Sequence, residues 1–492
     1  MSQTETISLR QTTPSNLGEL DVQTEEQGSV VGHDQSVQRR NGTNMKKACV
    51  LIGSGLIQLP IWGFAMSYGV FQEYFNSAWT LSGSRELTGV IGTTFNGIIY
   101  ISMPFLFALF TKRWARWRQA AALAGSLLTC ASFLLSSLSS SAWHLVATLG
   151  VLAPLGCALV FSPVTLSLGE WFSSSSSSST QDGGGGGGGK NNRALAYGVT
   201  LSCKNVVGSA CPFLFRALLD RFGFRVTVKV WAAVAAATGI PAIFMIPTHP
   251  SSLDHSRRRL ALSSSSGEPR PSRRIPWHFL GHKTIYIYGA AILLQSAGYG
   301  IPQTYLSTYA HDVAGVSQAS ATLLLTVFNL PGIASSSFFG FLCDSRRLRL
   351  SAATVTAIPA AGSAVAAFLF WGLAWRGSMA LLVLFSVTFG FFAGGYSATW
   401  GSVLNELEGE ARDGNEAVDT GMLYGLLNGA RGVGYVGGGL VGLPLLRAGG
   451  EASLGTLGYG TTYGPLIVFT GLSSVLGGWA VLWRWHKLMA FL

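Results

Sequence analysis

The chain has 492 residues, 48% of them hydrophobic and only 11% charged, with 62 glycines, six cysteines and a net charge of +11. Soluble chains carry about 25% charged residues and roughly 7% glycine. A soluble enzyme of this length is therefore excluded, as are disorder throughout and a disulfide-rich secreted scaffold. What remains is a polytopic membrane protein.

The first 45 residues are polar and read as a disordered cytoplasmic tail without a cleavable signal peptide. The sequon Asn41-Gly42-Thr43 is expected to stay unglycosylated there. Charge-free stretches then follow at 48–72, 87–111, 119–169, 230–253, 284–311, 313–343, 350–375, 377–405 and 452–483. Two more, 194–215 and 420–446, carry one basic residue each within an apolar run. The stretch 119–169 is long enough for two spans of about 20 residues, which brings the total to about twelve. Helices are expected, because bilayer strands would alternate over short segments. The fold class is all-α, with twelve transmembrane helices in two pseudo-symmetric six-helix bundles, 46–246 and 283–492. The Ser/Gly-rich segment 173–192 and the linker 247–282 are expected to be loops.

Basic residues fix an orientation. Lys46 and Lys47, Arg113 and Arg116, Arg257–Arg259, Arg346 and Arg347, and Arg484 all fall on one side of a twelve-span chain. Both termini are expected in the cytoplasm of a plasma-membrane protein by the positive-inside rule. The loop Arg216–Arg225 is the exception, being basic on the outer side. The positive charge thus reads as topology, with no nucleic-acid partner.

The two exceptional stretches share a pattern. Tyr197-Gly198 is followed after five residues by Lys204, and Tyr424-Gly425 after five residues by Arg431. Glu170 and Glu406, closing the fourth and tenth spans, echo it. The matching positions suggest duplication, and transporters built from repeats bind substrate between them near the midplane. Lys204 lies about 16 Å past Arg193, and Arg431 about 18 Å past Asp419, at 1.5 Å per residue. Both are deep in a core ~30 Å thick. No Asp or Glu is expected within a span to neutralise them. Such cations suggest a water-lined cavity and an anionic ligand, Arg431 offering a planar fork suited to carboxylate. The structural alternative is that each bonds only to neighbouring carbonyls. Asn96, Tyr100, Asn205, Gln295, Tyr299, Gln303, Asn329, Tyr396, Trp400 and Asn428 are secondary candidates, each also explicable as a helix–helix hydrogen bond. The cysteines lack metal spacing and no nucleophile motif is present, so neither enzyme nor cofactor is expected.

Several motifs carry a resemblance. Ser67-Tyr68-Gly69-Val70-Phe71-Gln72-Glu73-Tyr74-Phe75 ends span one. Glu170-Trp171-Phe172, then Arg193-Ala194-Leu195-Ala196-Tyr197-Gly198, flank the Ser/Gly insertion. Leu218–Arg225, Gly340–Arg347 and Phe389–Tyr396 follow. In these the chain resembles the major facilitator superfamily, and within it the fungal monocarboxylate-porter-like group, from about Lys46 to Lys487. The resemblance implies alternating access, a small monocarboxylate or related organic anion as substrate, protons as a candidate co-substrate, and Gly340, Asp344 and Arg346 as a gating-loop motif. Departures limit it. The span-one Lys of animal members aligns with Met66, and their span-eight Asp–Arg pair has no counterpart around Asn329–Ile333. Lys204 and Arg431 are then read as replacement cations. Two alternatives stand beside uptake: export of an acidic secondary metabolite, and a non-transporting membrane sensor.

Overall fold

The computed structural model describes residues 44–78, 82–173, 192–247, 278–344, 350–414, 420–451, 455 and 457–489. The tail with Asn41, most of the Ser/Gly segment, most of the linker, and Arg346 lie outside the described residues. Residues 50–492 form one compact unit by packing, and it carries the helical bundle.

The regular structure of the described residues is helical apart from two isolated bridges. Among the described residues, nine helices are long and apolar enough to cross a bilayer. They are α1 (Asn44–Ser77), α2 (Thr88–Thr111), α3 (Ala115–Ser136), α4 (Ala142–Phe172), a long helix Ala196–Phe244, α8 (Gln318–Cys343), α9 (Ala352–Trp371), α10 (Met379–Asp413) and α12 (Gly464–Trp485). The long helix is two. At Gly223 the backbone turns to φ 70°, a conformation open to glycine and strained for a side chain. We number its parts α5 (196–222) and α6 (224–244). Two helices are long but more polar: α7 (Lys283–Asp312) and α11 (Thr420–Glu451). Their polarity has a structural cause. In α7, Gln295, Ser296, Gln303, Thr304, Ser307 and Thr308 are all buried among other helices, away from lipid. With these the count among the described residues reaches twelve.

Lipid-facing and inward faces separate cleanly. Phe105, Leu127, Leu138 and Phe341 are largely exposed, as a bilayer-embedded surface requires. Inside, Phe64, Phe71, Phe95, Phe133, Phe215 and Trp231 interlock across α1, α2, α3, α5 and α6. Tyr299, Phe328, Trp371, Phe385 and Phe389 do the same across α7–α10. The first six helices meet the last six chiefly through α2 on α11, the C-terminal part of α1 on α7, and α5 on α8. The α2–α11 approach depends on Gly432, where a Cβ would collide with the backbones of Gly97 and Ile101.

The two ends of the bundle differ. At the end bearing Gly223, the connectors join each other: Ala142 N–H bonds Ser82 O at 3.0 Å and Gly377 N–H bonds Ala314 O at 2.9 Å. At the opposite end, Arg118 grips Glu170 with two bonds of 2.7 and 2.9 Å. There Thr284 and Tyr288 donate to Glu410 and Glu406 at 2.6 and 3.0 Å.

Two expectations are corrected. The spans are not free of carboxylates: α1 runs past Gln72 to Ser77, so Glu73 is helical and only 1% exposed. Nor does Arg216 begin a loop. The helix continues to Gly223, and Arg216 is buried against the carboxylate of Glu73. Pairing with the one group hides the charge of the other, so Arg216 is not a solvated loop charge of the kind the basic-residue rule counts.

Candidate functional site

The two deep cations come from different halves and meet over one ring. Lys204 of α5 donates from Nζ to Tyr100 Oη at 3.0 Å. It also sits 3.8 Å from the centre of the Trp62 ring. Arg431 of α11 holds its guanidinium carbon 4.8 Å from the centre of the same Tyr100 ring. Three further rings surround it: Trp400 and Tyr435 at 5.6 Å and Tyr299 at 5.7 Å. A cation against an aromatic face gains about 0.5–1 kcal/mol when exposed and ~2 kcal/mol or more when desolvated. The rings thus make one buried and one half-buried cation tolerable without neutralising them. Neither forms an ion pair among the described residues. Arg431 is 8% exposed, and its Nε has no hydrogen-bond partner among the described residues. A buried charged donor left open is a costly arrangement unless a ligand completes it.

Chemically, this arrangement can act as an anion receptor. Its walls are Trp62 (α1), Tyr100 (α2), Tyr299 (α7), Trp400 (α10) and Tyr435 (α11). Its charged donors are Lys204 and Arg431. Such walls suit a small acid with an apolar body, the rings taking the body and the cations the carboxylate. The pattern Tyr-Gly-x5-cation also has a spatial meaning. The Tyr197 and Tyr424 rings lie 6.5 Å apart, about two turns along the helices from the cations, so both members of the repeat face each other across the halves.

The remaining sequence candidates divide. Tyr100, Tyr299 and Trp400 line the receptor. Asn96 and Asn428 turn back onto their own helices, donating to Gly92 O and Tyr424 O at 3.0 and 2.8 Å. Tyr396 donates to Gly477 O at 2.8 Å and ties α10 to α12. Gln295 packs on Gly477 as well. Asn329 donates to Gly208 O at 3.0 Å, joining α8 to α5, and Asn205 packs against Gly332. Gln303 is buried in α7. Gly340 is a helical residue of α8 with open space where a Cβ would stand. Asp344 directly follows α8 in helical conformation, and its side chain lies outside the described residues. Trp62 and Tyr435 were missed. Apolar spans are full of aromatics, and only their distance from a cation singles them out.

The sequence model of the Major Facilitator Superfamily matches residues 50–439. The chain belongs to the Major Facilitator Superfamily. Membership carries the fold of twelve helices in two bundles, and a transporter's work in the membrane on small molecules in place of an enzyme's. The chain is 22% identical over 375 residues to an MFS-type transporter, pynF, of Aspergillus niger, covering 75% of this chain and 76% of that one. It is 26% identical over 357 residues to the rat monocarboxylate transporter 13, covering 72% and 73%. It is 27% identical over 311 residues to the human monocarboxylate transporter 12, covering 59% of this chain and 56% of that protein.

Proposed function

We propose that this superfamily member is a secondary transporter of a small organic anion, with a monocarboxylate as the leading class. The observation that carries the reading is the convergence of Lys204 and Arg431, from equivalent helices of the two halves, on Tyr100. An anion held by both would draw the halves together around it, which is what alternating access needs of its substrate. The relatives' names agree in substrate class. In this reading 46–246 and 283–492 are the rocking bundles, and both termini face the cytoplasm of a plasma-membrane protein. Proton symport and uniport are both consistent with a site lined by cations and phenols.

The test is uptake of labelled monocarboxylates into vesicles reconstituted with the purified protein, with and without an imposed pH gradient. Saturable uptake that is lost in Lys204→Gln and Arg431→Gln variants of normal abundance is expected. Undiminished uptake by both variants would refute the receptor. Dependence on the gradient assigns symport, and independence assigns uniport.

A further inference from the structure

The buried carboxylate of Glu73 belongs to no part of the receptor. It lies near the Gly223 end of α1, and both its oxygens are used. One takes the ion pair from Arg216 of α5. The other accepts from Gln318 Nε2, in the first turn of α8, at 3.0 Å. Arg216 itself reaches the same helix, donating from Nε to the Thr322 hydroxyl at 3.3 Å. Thr322 in turn donates to Gln318 O at 3.0 Å, closing the cluster.

These contacts divide between the halves. The ion pair lies wholly within the first half, α1 to α5. Every bond from the pair to α8 crosses to the second half. A second crossing stands at the same end, where Arg447 of α11 donates to Glu86 at 2.7 Å on the surface. The described pairs at the opposite end, Arg118–Glu170, Thr284–Glu410 and Tyr288–Glu406, each join helices of one half.

We infer that Glu73, Arg216, Gln318 and Thr322 form a charged gate that holds the Gly223 end of the transporter shut and parts whenever that end opens. The inference rests on the alternating-access reading of the receptor. A buried ion pair is a poor device for stability alone, since apolar residues of similar size often serve as well or better. It is a good device for a switch, because its partners must be present for burial to be tolerable. This gate has a ready alternative for the charge it releases. Asp220, one turn beyond Arg216, already lies 3.4 Å from it and is 50% exposed. When α8 withdraws, Arg216 can keep Glu73 and lean on Asp220, so the open state leaves no charge stranded.

The groups around Glu73 are few. Arg216 and Asp220 come from α5, and Gln318 and Thr322 from α8. On α7, which packs against the same part of α1, the titratable groups toward this end are Tyr305, Tyr309 and His311, the last paired with Asp312 at 3.0 Å. From α2 come Thr88 and, bonded to it at 3.0 Å, Gln72 of α1.

The experiment is amide hydrogen exchange on the full-length protein in lipid nanodiscs, which needs no knowledge of the substrate. The double variant Gln318→Ala, Thr322→Val removes only the bonds from the pair to α8 and leaves the Glu73–Arg216 pair in place, so folding of the first half is not at stake. Losing a hydrogen bond to a charged group shifts an equilibrium roughly tenfold or more. The expected result is at least about tenfold faster exchange at the Gly223 ends of α1, α5 and α8, with slower exchange at the Glu170 end as that end closes. Glu73→Lys should open the gate further, and combining it with Arg216→Glu should restore protection, because the Gln318 amide can serve either charge. Exchange unchanged at both ends, or accelerated equally at both, would overturn the gate. Opening of the gate in a protein that moves none of the acids tested would leave the gate standing and refute the substrate class. Intact uptake with unchanged exchange would refute the gate alone.

Discussion

Lys204 and Arg431 hold matching places in α5 and α11, yet their surroundings differ. Lys204 has spent one donor on Tyr100 and lies over Trp62. Both of those neighbours belong to its own half. Arg431 has a ring from the other half, Tyr100, and three from its own, and keeps Nε open. The lysine is therefore anchored by a hydrogen bond, while the arginine bonds Tyr435 of its own helix and is cradled by faces that leave its Nε open. A planar guanidinium stacks on a ring and keeps all its donors in its own plane, whereas an ammonium over a ring has no such plane to keep them in. In the function we propose, this difference makes Arg431 the principal anion ligand and Lys204 the charge that completes the site.

That assignment is most exposed at Arg431. Arg431→Gln removes both the charge and the fork. Breaking a buried, hydrogen-bonded charge contact costs about 2–5 kcal/mol, so uptake per molecule should fall roughly thirtyfold or more. Arg431→Lys should recover only part of this, because the stacking is lost with the plane. Initial uptake rates normalised to protein abundance measure both. If Arg431→Lys transports as well as the parent, the fork has no role and the asymmetry between the helices is only one of packing.

Lys204→Gln is the next largest. The charge goes, but the amide can still bond Tyr100, and the expected loss is about tenfold, mainly as a raised KM. Lys204→Arg should retain most uptake. A greater loss at Lys204 than at Arg431 would reverse the assignment.

The architecture was largely open to reading from charge alone. Nearly all the acidic and basic residues fall outside the long apolar runs, so their gaps draw the spans. The two deep cations were visible for the same reason: each interrupts an otherwise charge-free run. The rest was hidden by the same logic. Glu73 and Arg216 sit near helix ends, where sequence cannot distinguish a solvated charge from a buried pair. Their partnership spans 143 positions. Trp62 and Tyr435 look like any aromatic in an apolar helix. Asn96 and Asn428 resemble ligands because polarity within a span is conspicuous, and an amide bonded to its own preceding turn leaves no trace in the sequence.

Tyr100 joins the two sides of the comparison, since it touches both cations. Tyr100→Phe keeps the ring beneath Arg431 and deletes only the hydroxyl that Lys204 bonds. Hydrogen bonds to charged groups contribute ~1.5–3 kcal/mol, but the freed ammonium can turn to the substrate, so the net loss should be severalfold at most. Combined with Lys204→Gln, it should add little, because the two changes act on one contact. Combined with Arg431→Lys, its effect should be nearly independent, because Arg431 uses the face and not the hydroxyl. Uptake across this pair of cycles measures the difference between the anchored and the cradled cation. Strong coupling of the Tyr100 hydroxyl to Arg431 would mean that both cations depend on it, and the distinction between α5 and α11 would fall.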